Sequence, residues 1–239
     1  MLMNACREEI KDIERKTGRL FGGVSAEASQ PGSSHKPLPL LFSVRIGTSV
    51  IIPGALDAIL NVGMTDAVVG SIIDSNPGYQ RFALDSQRRF LHAYGTLVLQ
   101  VRPMRYQRVL EMARRGGMYE EDGTLSVDGL LYVVGEYRRV TPVPSDPYEQ
   151  LQAVIESLYE QALMPRVVAD LHAPPHLLSR RSSKNVIDNP ETRGIALIVQ
   201  QMVYGNLNSN SGSGACFSRH PNAYKPMIAD TATEAEHKE

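Results

Sequence analysis

Two segments that lie far apart in this chain constrain its fold more than any other feature. In residues 43–63 a short apolar run is interrupted by Arg45 and is followed at once by a glycine, Gly47. In residues 199–221 an apolar run leads into a polar, glycine-rich turn and then into a second run that ends at Arg219. Short apolar runs that end at glycine are typical of buried strands. We therefore expect both segments to build a sheet.

The hydrophobic pattern along the whole chain predicts an α+β fold. We expect strands at 40–44, 194–204 and 215–218, and a further extended piece at 50–52. We expect helices at 5–16, 55–60, 66–73, 77–101, 103–115 and 148–163, with an interruption at Gly95. Asp146 is a suitable cap for the last of these helices. The segment 125–140 fits a strand or a helix, and the choice between them stays open.

The charge balance and the metal-ligating residue types exclude several partners. With 25 basic and 26 acidic side chains the net charge is −1, so the chain has no general attraction for nucleic acid or an anionic membrane. Cys6 and Cys216 form no metal-binding spacing, and the six histidines are scattered. No apolar run is long enough for a signal peptide or a membrane helix. We therefore expect no metal site, no nucleic-acid partner, no membrane contact and a soluble, cytoplasmic protein.

Arg45 is the first candidate binding residue. A guanidinium that is buried among the apolar residues of a strand needs a carboxylate or a phosphate as its partner, and its planar fork suits either. Gly47 beside it allows a ligand or another backbone to come close. The residues alone favour an ion pair with Asp57 over a phosphate contact, and both stay open.

The second candidate is the run of small polar residues at 205–214 and the strand end before it. The backbone N–H groups of this run could surround an anion, although such runs are more often ordinary hairpin turns. The run lacks the Gly-Lys-Ser/Thr ending of a P-loop. The main-chain groups of 200–203 could bind the edge of an adenine, or they could form an ordinary strand end.

Several strings of residues, taken in order, resemble the pyruvate phosphate dikinase family from about residue 16 to residue 221. They are Pro39 to Arg45; Pro53-Gly54 with Asp57, Leu60-Asn61 and Gly63; Asp85-Ser86, Arg88-Arg89-Phe90 and Tyr94-Gly95; Asp146-Pro147 with Glu149-Gln150-Leu151; Pro165-Arg166; Gln200-x-Met202-Val203-x-Gly205-Asn206; and Ser211 to Pro221. Each string alone is weak. Their shared order over most of the chain is strong.

The resemblance implies an incomplete ATP-grasp-like nucleotide-binding domain with a helical subdomain, and ATP and Mg²⁺ as cofactors. Arg45 would contact ATP phosphate, and Arg219 would lie on the phosphate side. The remaining implied ATP-binding residues are Gln200, Gln201, Met202 and Val203 at the adenine, and Ser211, Gly212, Ser213 and Gly214 at the phosphates. The family interconverts ATP, phosphate and pyruvate with AMP, pyrophosphate and phosphoenolpyruvate through a phosphohistidine on a separate swivelling domain.

On this resemblance we expect an N-terminal helix (1–24), a loop (25–39), a partial nucleotide-binding domain (40–221, with a helical insertion at about 77–165) and a disordered tail (222–239). The sequence departs from the family at Ile46, Thr48 and Ile51 and after Pro221. We find no counterpart of the family's lysine-bearing loop, its Mg²⁺ ligands or its histidine domain.

These departures predict a chain without catalytic residues that is inactive alone, either a gene fragment or a partial gene model of a dikinase. The alternative is a non-catalytic paralogue that binds nucleotide or pairs with the full-length dikinase as a dimer partner. The family also allows a glycosome or a plastid as the compartment.

Overall fold

The computed structural model describes residues 2–23, 38–48, 58–164, 167, 195–208 and 210–214. Contacts divide the chain into two compact units, Met1–Met202 and Val203–Glu239. The helices and strands of the described residues all lie in the first unit, which is an α+β fold. They are α1 (Leu2–Thr17), β1 (Phe42–Thr48), β2 (Ile59–Val62), α2 (Asp66–Ser75), a 3₁₀ turn (Pro77–Tyr79), α3 (Gln80–Leu97), α4 (Pro103–Arg115), α5 (Val127–Val140), α6 (Pro147–Ala162) and β3 (Ile195–Gln201).

The three strands form an antiparallel sheet in the order β2-β1-β3. β1 and β3 pair without a break from Phe42 opposite Gln201 to Thr48 opposite Ile195, whereas a bulge interrupts the pairing of β1 with β2. Side chains alternate between the two faces of a strand. Phe42 and Val44 are therefore fully buried on one face, and Arg45 is exposed on the other. As far as the described residues show, the sheet has one packed face and one open face.

The packed face of the sheet is closed by an aromatic cluster and by a glycine turn. The ring of Phe21 lies 4.9 Å from that of Phe42 and 5.1 Å from that of Tyr148 on α6. Gly63, directly after β2, has φ +99°, and a Cβ there would lie 2.7 Å from the Phe21 ring. Its N–H donates to the buried side chain of Gln150 at 3.0 Å. Only glycine accepts both this backbone conformation and this contact.

The helical part is organised around α3, which contacts β2, α2, α5 and α6. Tyr106 of α4 and Tyr137 of α5 are both buried, with ring centroids 4.7 Å apart. The hydroxyl of Tyr106 forms a hydrogen bond with Thr141. The predicted interruption of α3 at Gly95 is wrong, because the helix continues to Leu97. Gly95 instead provides the room into which the Tyr106 hydroxyl projects.

Most of the predicted helix ends agree with the structure. α4 begins at Pro103 and is stopped by Gly116, as its sequence predicts. Asp146 caps α6, since its side chain accepts a hydrogen bond from the N–H of Tyr148 at 2.8 Å. The open choice for 125–140 is decided in favour of a helix, which Ser126 caps by accepting a hydrogen bond from the N–H of Gly129.

The predicted helix at 55–60 is wrong where the structure describes it, because Ile59 and Leu60 belong to β2. The ladder with β1 satisfies the backbone of this segment, and the side chains of Ile59 and Val62 are fully buried against the core. Asn61 has φ +61°, which a right-handed helix does not allow. The extended piece at 50–52 and the strand at 215–218 lie outside the described residues.

An ion-pair cluster on α3 makes the stability of the fold depend on pH. Asp85, whose side chain is 19% exposed, lies 2.9 Å from the Nη2 atom of Arg88 and 2.8 Å from the Nε atom of Arg89. Burial by itself would raise the pKa of the Asp85 carboxyl, but the two guanidinium groups outweigh this and lower the pKa below its usual value. In the folded protein this carboxylate therefore stays ionised at an acidic pH at which it would be protonated in the unfolded chain.

We expect Asp85→Asn to destabilise the protein at neutral pH, with the difference from wild type shrinking in acid. A lowered folded pKa contributes stability above the unfolded value of about 4, and this contribution is lost as the pH falls through the folded pKa. Urea unfolding between pH 7 and pH 3 measures it. Asp128→Asn, an exposed aspartate outside the cluster, is the matched control. A difference that stays constant down to pH 3 would contradict the linkage.

Candidate functional site

The open face of the sheet carries Arg45 at the middle of β1. The prediction that this arginine is buried is wrong, because Phe42 and Val44 occupy the packed face and alternation turns Arg45 outward. Its Nη2 atom donates to the Oε1 atom of Gln200 on β3 at 3.4 Å, which is a long hydrogen bond to a neutral group. Among the described residues no carboxylate lies within ion-pair distance of it. Asp57, the acid proposed as its partner, lies outside them.

The neighbours of Arg45 on the open face come from β3. Ile198, which is 38% exposed, lies directly opposite Arg45 in the register, and Gln200 lies opposite Ser43. The hydroxyl of Ser43 donates to the carbonyl of Gln200 at 3.3 Å. A guanidinium, a hydroxyl, an amide and an exposed apolar side chain therefore share one surface. This combination suits a ligand that has both an anionic and an apolar part.

At the end of β3, the main-chain groups of the predicted adenine-binding residues point in different directions. The N–H of Met202 donates to the carbonyl of Leu41 at 2.9 Å, so it is not available to a ligand. Main-chain groups of successive residues alternate between the two sides of an antiparallel strand. Gln201, the residue before Met202, therefore presents its N–H and C=O away from β1. Within the part of the chain that the structure describes, no strand pairs with β3 on that side.

The predicted phosphate loop belongs to the second unit, where a short turn is described. The N–H of Ser211 donates to the carbonyl of Asn208 at 3.0 Å, and the N–H of Asn210 donates to the Asn208 side chain at 3.0 Å. The Ser211 hydroxyl donates to the same side chain at 3.1 Å. The next three residues, Gly212, Ser213 and Gly214, are exposed. Arg219 lies outside the described residues.

The sequence did not indicate the contact between Arg45 and Gln200, nor that Ser43 and Ile198 lie beside them on the same face. The pairing of strands so distant in the sequence sets this register, and no local pattern encodes it. Among the described residues no group of three or more histidine, cysteine, aspartate or glutamate side chains is placed to hold a metal ion. None of the helices in the described ranges is long and apolar enough to cross a membrane.

No family model matches the chain. Curated proteins do match it. A pyruvate, phosphate dikinase of Rickettsia conorii is 32% identical over 220 residues, which are 90% of this chain and 22% of that protein. The chain is a homologue of part of the pyruvate, phosphate dikinases. This confirms the resemblance that the ordered strings of residues indicate.

Other pyruvate, phosphate dikinases match to the same degree. That of Rhizobium meliloti is 32% identical over 226 residues, 92% of this chain and 22% of its own length. The chloroplastic pyruvate, phosphate dikinase 1 of Zea mays is 32% identical over 190 residues, 77% of this chain and 18% of its own length. The chain thus spans about a fifth of the length of the curated dikinases it matches.

Proposed function

We propose that this chain is the ATP-binding portion of a pyruvate phosphate dikinase, in which residues 40–221 form part of an ATP-grasp-like domain with a helical insertion at about 77–165. One observation carries the proposal. Arg45 lies exposed on the open face of the sheet, and its partner among the described residues is the neutral amide of Gln200 at 3.4 Å. An arginine that meets only a neutral amide among the described residues suits an anionic ligand, because its planar fork matches phosphate oxygens.

The resemblance to the dikinases adds two further groups of residues to this proposal, one in each unit. The main-chain N–H and C=O of Gln201 would bind the edge of the adenine, and the exposed residues 212–214 would offer N–H groups to the phosphates. Mg²⁺ would enter with the triphosphate and neutralise part of its charge. Phosphoryl transfer is mostly positioning and neutralisation of charge. The described residues therefore serve to position the nucleotide.

We propose further that the residues of this sequence bind ATP without completing the dikinase reaction. The groups proposed to hold ATP are a guanidinium, the main-chain groups of a strand edge and the N–H groups of a turn, and none of these accepts a phosphoryl group. We expect no AMP above background when the purified chain is incubated with ATP, phosphate, pyruvate and Mg²⁺. Formation of AMP that depends on pyruvate, measured by chromatography, would contradict this part of the proposal.

We expect Arg45→Ala to weaken ATP binding by at least about tenfold, because truncating a charged hydrogen-bond donor costs about 1.5–3 kcal/mol. Isothermal titration of the chain with ATP and Mg²⁺ measures the Kd. Arg139→Ala is the matched control, since Arg139 is also an exposed arginine but lies on α5 and pairs with Glu136. Unchanged affinity in Arg45→Ala, or no detectable binding of millimolar ATP to the wild type, would contradict the proposed nucleotide site.

A further inference from the structure

A second candidate site lies in the helical part, where the chain passes from α3 to α4. A cleft of about 660 Å³ opens there, within the usual size range of small-molecule sites. Its lining consists of Gln100, Val101, Arg102, Met104, Arg105 and Arg108. We call it the arginine cleft. It shares no residue with the open face of the sheet.

The lining of the arginine cleft is strongly basic. Arg102, Arg105 and Arg108 are all exposed, and none has a carboxylate within ion-pair distance among the described residues. Other helical arginines of this chain do have such partners, as Arg88 has in Asp85 and Arg139 in Glu136. Within the described part of the chain, the three guanidinium groups of the cleft therefore lack the direct carboxylate contacts that Arg88 and Arg139 make.

The three arginines also follow one another at intervals of three residues, so that they form one row along the first turns of α4. Like charges at this spacing repel each other, and the positive end of the helix dipole adds to the repulsion. The row thus destabilises the free helix. A bound anion would remove this repulsion, and an anion with several oxygens can accept hydrogen bonds from more than one guanidinium.

We propose that the arginine cleft binds a small phosphorylated ligand that carries at least two negative charges and no aromatic base. The lining contains three guanidinium groups for the phosphate oxygens and two apolar side chains, Val101 and Met104, for a short aliphatic body. Met104 is 57% exposed at the cleft. The lining has no aromatic ring on which a base could stack, which distinguishes the expected ligand from a nucleotide.

Inorganic pyrophosphate, titrated at low salt without Mg²⁺, is a suitable probe for the cleft. We expect the combined variant Arg102→Gln, Arg105→Gln and Arg108→Gln to weaken pyrophosphate binding by at least about tenfold. Its charge-matched control is the combined variant Arg15→Gln, Arg115→Gln and Arg139→Gln, which removes the same charge from other helix positions. We expect this control to bind within about twofold of wild type, and we expect added salt to weaken binding.

Two further measurements distinguish ligand binding at the arginine cleft from ATP binding at the sheet. The pyrophosphate binding that remains in Arg45→Gln should be lost when the three cleft arginines are exchanged as well, whereas the cleft variant alone should leave ATP binding unchanged. The cleft variant should also unfold at the same temperature as wild type or a higher one, because it removes repulsion. Equal weakening in the cleft variant and its control would show only general attraction to positive charge and would overturn the proposal. So would a lower unfolding temperature of the cleft variant.

Discussion

Gly95→Ala is expected to destabilise this protein by about 2–3 kcal/mol, although alanine is the better helix former by about 1 kcal/mol. A Cβ at Gly95 would overlap the hydroxyl of Tyr106 and would lie 2.8 Å from Thr141 Oγ1. The Tyr106 ring cannot move away from the new methyl group, because it is buried against Tyr137. The substitution therefore overpacks the contact of α3, α4 and α5 and disturbs a buried hydrogen bond.

Urea unfolding with two comparison variants tests this expectation. Gly135→Ala is the matched control, because a Cβ at this helical and exposed position would meet nothing within 4 Å. It should stabilise the fold by about 0.5–1 kcal/mol. Tyr106→Phe removes the hydroxyl that the new methyl group meets, so it should destabilise wild type but partly rescue Gly95→Ala. Equal effects of Tyr106→Phe in both backgrounds would exclude the proposed overlap.

Gln200→Glu is expected to weaken ATP binding by about 30-fold or more, which corresponds to about 2 kcal/mol. The substitution places a carboxylate where the amide oxygen now accepts from Arg45 at 3.4 Å. The new carboxylate would compete with the phosphates for the guanidinium and would repel them as well. Because the proposed contacts to adenine use main-chain groups, exchange of this side chain should leave them intact.

Because Gln200→Glu changes the charge of the side chain but not its size, a neutral substitution at the same position is a suitable control. Gln200→Met keeps the length of the side chain without a charge, and it should change the Kd of ATP by less than about threefold. Isothermal titration of both variants with ATP and Mg²⁺ supplies the comparison. If Gln200→Glu binds ATP as tightly as wild type, then Arg45 does not contact the phosphates, and the proposed position of the nucleotide is wrong.

Local sequence was sufficient for the elements whose ends are set by local chemistry. Pro103 and Gly116 bound α4, and Asp146 begins α6, because a missing N–H, a permissive backbone and a capping carboxylate act within a few residues. The resemblance to the dikinases could be recognised for a related reason. It rests on the order of short strings along the chain, and this order does not require knowledge of the fold.

The sequence by itself determined the α+β class, the helix ends that carry capping or stop residues, and the relationship to the dikinases. Only the tertiary structure decided that Ile59–Val62 is a strand, that Arg45 faces outward toward Gln200, and that Gly95 accommodates Tyr106. Each of these depends on a partner far away in the chain. A strand needs a neighbour to satisfy its backbone, and the face on which a side chain lies depends on what covers the other face.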